Sequence, residues 1–205
     1  MPESLRNLRY DLSIIASWVR PGARVLGLGC GDGDLLYALK RHKKVVETGI
    51  EIDEAQVARC IERGLTVVQG DMNEEVKDYP DDFFDYVICS QTLQQAYDPS
   101  GLIREMLRIG KHAVVSFPNF CHWRIRLQML ASGYVPRTRE LPYEWYDTPN
   151  IRVLSLNDFR RFAGEVGFSI RKEAAINSRD IRVTGTEVGF LPNLRATYGI
   201  YLIGR

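Results

Sequence analysis

Arg24-Val25-Leu26-Gly27-Leu28-Gly29-Cys30-Gly31-Asp32-Gly33-Asp34-Leu35-Leu36 decides the fold of this 205-residue chain. An apolar run (Val25, Leu26, Leu28) stops at three alternating glycines, Gly29, Gly31 and Gly33, and a helical pattern follows through Leu35, Leu36 and Leu39. The order predicts a buried parallel strand, a tight turn and a helix N-terminus, the ligand-binding corner of an open α/β sheet. Glycines suit such a corner because a ligand lying against the backbone would collide with a Cβ.

The spacing G-x-G-x-G differs from the G-x-G-x-x-G of dinucleotide sites, and Asp34 is a poor neighbour for a phosphate. The loop resembles that of class I S-adenosylmethionine (SAM) methyltransferases. SAM carries no phosphate but an ammonium and a sulfonium, so acids near the loop are tolerated. A dinucleotide-dependent oxidoreductase is disfavoured on the same spacing.

Working outward, residues 4–19 carry Leu5, Leu8, Leu12, Ile15 and Val19 at helical spacing, stopped by Pro21-Gly22, and predict a helix over the edge of the first strand. Arg9 and Tyr10 lie near the glycine corner, either folding over a ligand or standing as ordinary surface residues. Val45–Ile52 reads as strand two. Glu51, 18 residues past Gly33 at that strand's carboxyl end, is placed to accept ribose hydroxyls. Asp53 reads as the N-cap of a helix over 54–63 that stops at Gly64. Leu65–Gln69 is a third strand, and the Gly70-Asp71-Met72 corner after it either faces a nucleotide base or is a plain Gly-Asp turn. Phe83–Ser90 is strand four, ending in Ser90-Gln91-Thr92-Leu93-Gln94-Gln95, whose polar groups are expected to line the pocket beside Gly29 and Gly31. A helix over 102–109 ended by Gly110, then strand five over 113–117, complete five β-α units and a parallel doubly wound sheet.

After strand five the rhythm changes. Residues 119–154, rich in aromatics, arginine and proline, form an insertion at the mouth of the sheet. They are either a packed cap or an acceptor pocket or docking surface, with Asn119, His122, Trp123, Trp145 and Tyr146 as the substrate or partner candidates. A helix over 155–166, strand six over 168–175, about 20 irregular residues (177–196) and a last strand over 197–203 follow.

Composition bounds the rest. At 45% hydrophobic residues, 1–205 is expected to be one domain. The net charge of +1 points to neither nucleic acid nor membrane surface, although residues 1–100 hold 11 Lys/Arg against 17 Asp/Glu and residues 101–205 hold 16 against 9. Four cysteines without a C-x-x-C pair suggest free thiols in a reducing compartment. There is no signal-peptide order at the N-terminus and no apolar run near the roughly 20 residues of a membrane span, so a cytoplasmic location is expected. No G-x-S-x-G elbow, Walker loop or H-E-x-x-H helix occurs, and His42, His112 and His122 are too scattered for a metal site. No catalytic residue is singled out.

Several segments narrow the resemblance: Gly49-Ile50-Glu51-Ile52-Asp53, Gln69-Gly70-Asp71, Phe84-Asp85-Tyr86-Val87-Ile88 and Ser90-Gln91-Thr92-Leu93-Gln94. More specific are Ser116-Phe117-Pro118-Asn119-Phe120 with His122-Trp123-Arg124, and Leu141-Pro142-Tyr143 through Trp145-Tyr146-Asp147-Thr148-Pro149-Asn150. From Leu8 to at least Phe168 the chain resembles the methionine biosynthesis protein MetW family, a branch of the class I methyltransferase superfamily. The resemblance implies a seven-stranded sheet with the last strand antiparallel, and SAM or S-adenosylhomocysteine (SAH) across strands one, two and four. The residues it implies at the cofactor are Gly29, Cys30, Gly31, Gly33, Glu51, Ile52, Asp71, Met72, Ser90 and Gln91. It also implies association with, and support of, the homoserine O-acyltransferase MetX; a SAM-dependent methyltransferase acting on a small molecule is the alternative. One departure stands out. Gly27 occupies the position where the superfamily usually has an acid that orients the loop and the cationic end of SAM, with Asp32 and Asp34 as potential substitutes.

Overall fold

The computed structural model describes residues 8–138, 141, 143–178 and 184–205. Parts of three expectations, the helix start at residues 4–7, Pro142 of the insertion and the middle of the 177–196 stretch, lie outside the described residues.

The five predicted β-α units are present: β1 (Arg24–Leu28), α2 (Asp34–Lys43), β2 (Val46–Glu51), α3 (Glu54–Glu62), β3 (Val67–Gln69), the single turn α4 (Met72–Glu75), β4 (Phe84–Ser90), α5 (Pro99–Ile109) and β5 (Gly110–Pro118), preceded by α1 (Tyr10–Trp18). Local chemistry sets their ends. Asp53 caps α3 by accepting from Gln56 N–H at 2.9 Å, as expected. α5 begins three residues earlier than its apolar pattern because Asp98 accepts from Ser100 and Gly101 N–H and Pro99 stands at the first position. Gly110 does not stop that helix in a left-handed turn; at φ −124° it is already strand, so β5 is longer than expected. β3 is shorter than expected, because Leu65 N–H is bonded back to Cys60 O of α3.

The remainder is α6 (Trp123–Ser132), α7 (Leu156–Val166), β6 (Ser169–Ser178), β7 (Gly185–Glu187), the turn α8 (Pro192–Arg195) and β8 (Tyr198–Gly204). α7 carries a capping box between Ser155 and Asp158 and stops at left-handed Gly167. The sheet order is β3-β2-β1-β4-β5-β8-β6-β7. β1 to β5 are parallel, and β8 inserts antiparallel between β5 and β6, as expected of the last strand. Among the described residues the count is eight and not seven. The extra strand, β7, pairs antiparallel with the end of β6 (Ile176 with Glu187) inside the stretch that reads as irregular, and three residues are too few to register as a pattern.

Residues alternate across β1. Leu26 and Leu28 face a core with Phe117, Phe159 and Tyr201 under α5 and α7, while Val25 faces a second core with Ile15, Leu36 and Leu39 under α1 and α2. α1 packs on α2, β6 and β8 and not on an edge of β1, which has none because β2 and β4 flank it. Among the described residues no helix is long and apolar enough to cross a membrane.

Candidate functional site

Beyond the carboxyl ends of β1 to β4 lies a cleft of about 610 Å³. Gly29 and Gly31 form its floor in left-handed conformation, φ 59° and 58°. A Cβ on Gly29 would land 2.7 Å from Thr92 Cγ2, so the turn after β4 presses directly on the glycine loop. Gly33 serves a different purpose. It is outside the lining, and a Cβ there would meet Leu65 Cδ1 at 2.4 Å and Cys60 Sγ at 2.8 Å, so its role is close packing of the start of α2.

Glu51, buried at the end of β2, organises the loop. Its Oε2 accepts from Gly31 N–H at 2.8 Å, and Oε1 accepts from the N–H groups of Ile52 and Asp53 at 2.9 and 3.0 Å. The loop is therefore held from β2. At Gly27, where the superfamily acid would stand, a Cβ would lie 3.2 Å from Leu36 Cδ1 and 3.4 Å from Cys30 Cβ, so the Leu36 side chain has closed over the position. Asp32 and Asp34 do not stand in for that acid, being paired with Arg59 and Arg63 at 2.7 and 2.8 Å.

Ile52, Asp71, Met72, Ser90 and Gln91 line the cleft together with Cys30. Asp71 is also the cap of α4, its Oδ1 accepting from Asn73 N–H and Nδ2 at 2.8 and 2.7 Å. Burial raises the Cys30 thiol far above its ordinary value, with Cys60 and Glu51 adding to the shift, so this sulfur is a neutral wall group. Ser90 Oγ lies 3.1 Å from Ser116 Oγ, and Gln91 adopts a left-handed backbone (φ 56°) with its N–H bonded to Ser116 O.

Of the polar run after β4, Thr92 and Gln95 line the cleft and Gln94 does not; Arg9 lines it too, as do Leu12, Gln56, Arg59, Asn73 and Tyr97, which the sequence does not single out. Arg9 lies beside Gln91 through Asp11, whose carboxylate takes both Arg9 and Gln91 Nε2. Burial opposes the charge of Arg9, but the Asp11 hydrogen bonds and charge outweigh it and raise its pKa. No local pattern signals this contact, since Asp11 and Gln91 are 80 positions apart.

None of the five substrate or partner candidates lines the cleft. Asn119 is a buried structural clip: Nδ2 donates to Asn193 O and Ala196 O at 2.9 and 2.8 Å, and Oδ1 accepts from Cys121 N–H at 3.0 Å. His122 caps α6, its Nδ1 accepting from Arg124 N–H. Trp123, Trp145 and Tyr146 are exposed on the cap, the last two stacked edge to face on each other. The cap meets the cleft wall at Arg152, whose N–H donates to Gln94 O at 3.0 Å, and Gln94 Nε2 donates to Gln91 O at 2.7 Å.

An open sheet in this order, with a glycine corner answered by an acid at the end of β2, defines the fold class of the SAM-dependent methyltransferases. The chain is similar to a SAM-dependent methyltransferase from Archaeoglobus fulgidus (TM-score 0.68, 16% identity, 95% of this chain and 91% of that one). It is similar also to the [4+2]-cyclase SpnF (TM-score 0.66, 18% identity, 98% and 88%). Within that class the chain belongs to the family described as methionine biosynthesis protein MetW, whose model matches residues 9–203. A bifunctional methionine biosynthesis protein MetXA/MetW of Rhodopirellula baltica is 34% identical over 175 residues, 81% of this chain and 28% of that protein. A ubiquinone biosynthesis O-methyltransferase of Hahella chejuensis is 35% identical over 96 residues, 44% of this chain and 40% of that one. The chain thus spans between about a quarter and two fifths of these relatives' length.

Proposed function

We propose that the protein binds SAM or SAH in the cleft and acts as a partner of homoserine O-acyltransferase, docking through its cap and raising that enzyme's activity. The cleft volume falls in the range of small-molecule sites, about 300–1,000 Å³, and the glycine floor leaves room for a nucleoside against the backbone. Glu51 and Asp71 would receive ribose hydroxyls and the base amino group, and bound SAM would supply an activated methyl group there.

The outer face of α6 carries the partner reading. Only Ile125 of this helix is buried, while Trp123, Leu127 and Leu130, at i, i+4 and i+7, form one face that is 43%, 54% and 85% exposed. Tyr134, Trp145, Tyr146 and Val153, elsewhere in the 119–154 segment, are exposed as well. A stripe of this size on a helix that contributes one residue to its own core is the mark of a protein interface. The relative in which MetXA and MetW are one polypeptide favours the acyltransferase as the occupant.

The test mixes the purified chain with homoserine O-acyltransferase and reads co-elution and acyl-transfer rate with and without SAM or SAH. A Leu127→Asp/Leu130→Asp variant is expected to keep its fold and lose both effects. No complex and no rate change with the native chain would refute the partner reading. Methyl transfer to a small molecule is the second reading, favoured by the similarity to the ubiquinone O-methyltransferase. SpnF, a cyclase on this fold, is a reminder that the fold alone does not define the chemistry.

A further inference from the structure

The turn after β4 is shared between the cleft and the cap. Gln91, Thr92, Gln95 and Tyr97 line the cleft, whereas Gln94, in the 3₁₀ turn Leu93–Gln95, is buried and outside the lining. Arg152 of the cap holds this turn twice: its backbone N–H donates to Gln94 O at 3.0 Å, and its guanidinium Nη2 donates to Tyr97 O. Gln94 Nε2 carries the tie on to Gln91 O at 2.7 Å. Two residues past Arg152, Leu154 O accepts from Phe120 N–H at 3.2 Å, three residues ahead of α6. Hydrogen bonds and short lengths of backbone thus join the cleft wall to the helix that carries Trp123, Leu127 and Leu130.

Two features make this wall an element that can change arrangement. Gln91 holds a left-handed backbone, φ 56°, which a residue other than glycine adopts only at a cost. Gln94 Oε1 is buried with no hydrogen-bond partner among the described residues, while the Nε2 of the same amide is committed to Gln91 O. A buried carbonyl left unsatisfied costs free energy, which a shift of the turn that brings it a donor would recover. The turn is therefore a place where two arrangements lie close in free energy, and a group bound on the cleft side or the cap side biases the choice between them.

We infer that the 91–97 turn couples the two sites, so that a ligand seated in the cleft tightens acyltransferase docking on α6. By linkage, the docked acyltransferase tightens the cleft ligand by the same factor. The inference rests on the function proposed above and adds its regulation. The sign follows from ordering. A ligand packed against Gln91, Gln95 and Tyr97 fixes the turn and, through Arg152, the strap 151–154 that leads to Phe120 and α6. The partner then binds a face that is already ordered and loses less conformational freedom in doing so.

Two titrations of the full chain test it: homoserine O-acyltransferase with and without saturating SAH, and SAH with and without saturating acyltransferase. Each affinity is expected to rise by about five- to tenfold when the other ligand is present, and by the same factor in both directions. Hydrogen exchange on the chain alone should show SAH protecting the amides of residues 120 and 151–154 as well as those of the cleft. Arg152→Ala, at an exposed residue, should lower the factor, and Gln94→Leu/Arg152→Ala should bring it close to one. The factor is a ratio within each variant, so a merely structural role, which shifts melting or both affinities alike, leaves it unchanged. A variant pair that keeps the full factor overturns the assignment to this turn. Native protein that binds both ligands with a factor of one or less overturns the coupling and leaves the proposed function intact; native protein that binds no SAH, or no acyltransferase, removes that part of the proposed function and the coupling with it.

Discussion

Glu51→Gln separates the loop-holding role of this carboxylate from the ribose contact proposed for it. In the native chain its oxygens take three backbone N–H groups, those of Gly31, Ile52 and Asp53, at 2.8 to 3.0 Å in a site where Glu51 is 7% exposed. A carboxamide has one oxygen. With that oxygen turned to Ile52 and Asp53, its NH2 meets the Gly31 N–H donor to donor. Losing one hydrogen bond to a charged acceptor costs about 1.5–3 kcal/mol, and weakening the other two to neutral bonds adds about 1 kcal/mol. A chain of this size loses about 2–4 °C in Tm per kcal/mol, so the ligand-free variant should melt roughly 5–15 °C lower. Scanning calorimetry without ligand reads this directly, and titration with SAH reads the ribose contact separately. An unchanged Tm with lost SAH binding would refute the reasoning, since Glu51 would then serve the ligand alone and the loop would be held by something else.

Asn119→Ala should lower Tm without touching SAH affinity, because it leaves the carbonyls of Asn193 and Ala196 and the Cys121 N–H without their partner, at about 2–4 kcal/mol in total; a loss of SAH binding at unchanged Tm would contradict this. Gly29→Ala forces a Cβ into Thr92 at φ 59° and is expected to cost about 1–2 kcal/mol and weaken SAH, with Thr92→Gly in the same chain relieving part of it in the same titration. Gly27→Asp alone should destabilise by crowding Leu36, while Gly27→Asp/Leu36→Val recovers the Tm and shifts relative affinity from SAH toward the SAM cation, read by paired titrations. Burial, with Arg20 and Arg171 nearby, lowers the His112 pKa below its ordinary 6.5, and its Nδ1 is buried without a partner. The folded state thus binds fewer protons than the unfolded one in the window below pH 6.5, so this contribution is full above that pH and is lost as pH falls. The Tm of His112→Gln should fall less between pH 7 and 5.5 than that of the native chain.

The glycine corner, Glu51, the Asp53 cap and the five β-α units were legible in the chain because each is written in a few adjacent residues: an apolar run, a glycine spacing, an acid at a strand end, a cap before a helix. The same locality explains what reads incorrectly. The Ser116-Phe117-Pro118-Asn119-Phe120 segment marks the family, but its sequence carries no sign that the Asn119 side chain bonds to Asn193, Ala196 and Cys121. β7 is three residues that become a strand only because β6 offers an edge.

The sequence by itself determined the fold class and the corner where a ligand would lie, since both follow from short-range patterns that the backbone must obey. Tertiary structure alone decided which side chains serve that corner. It brought Arg9 and Asp11 to Gln91, pressed Thr92 on Gly29, closed Leu36 over Gly27, and left Trp123, Leu127 and Leu130 facing outward. These contacts join segments that only the closed sheet brings within van der Waals and hydrogen-bond reach, and those interactions vanish beyond a few ångströms.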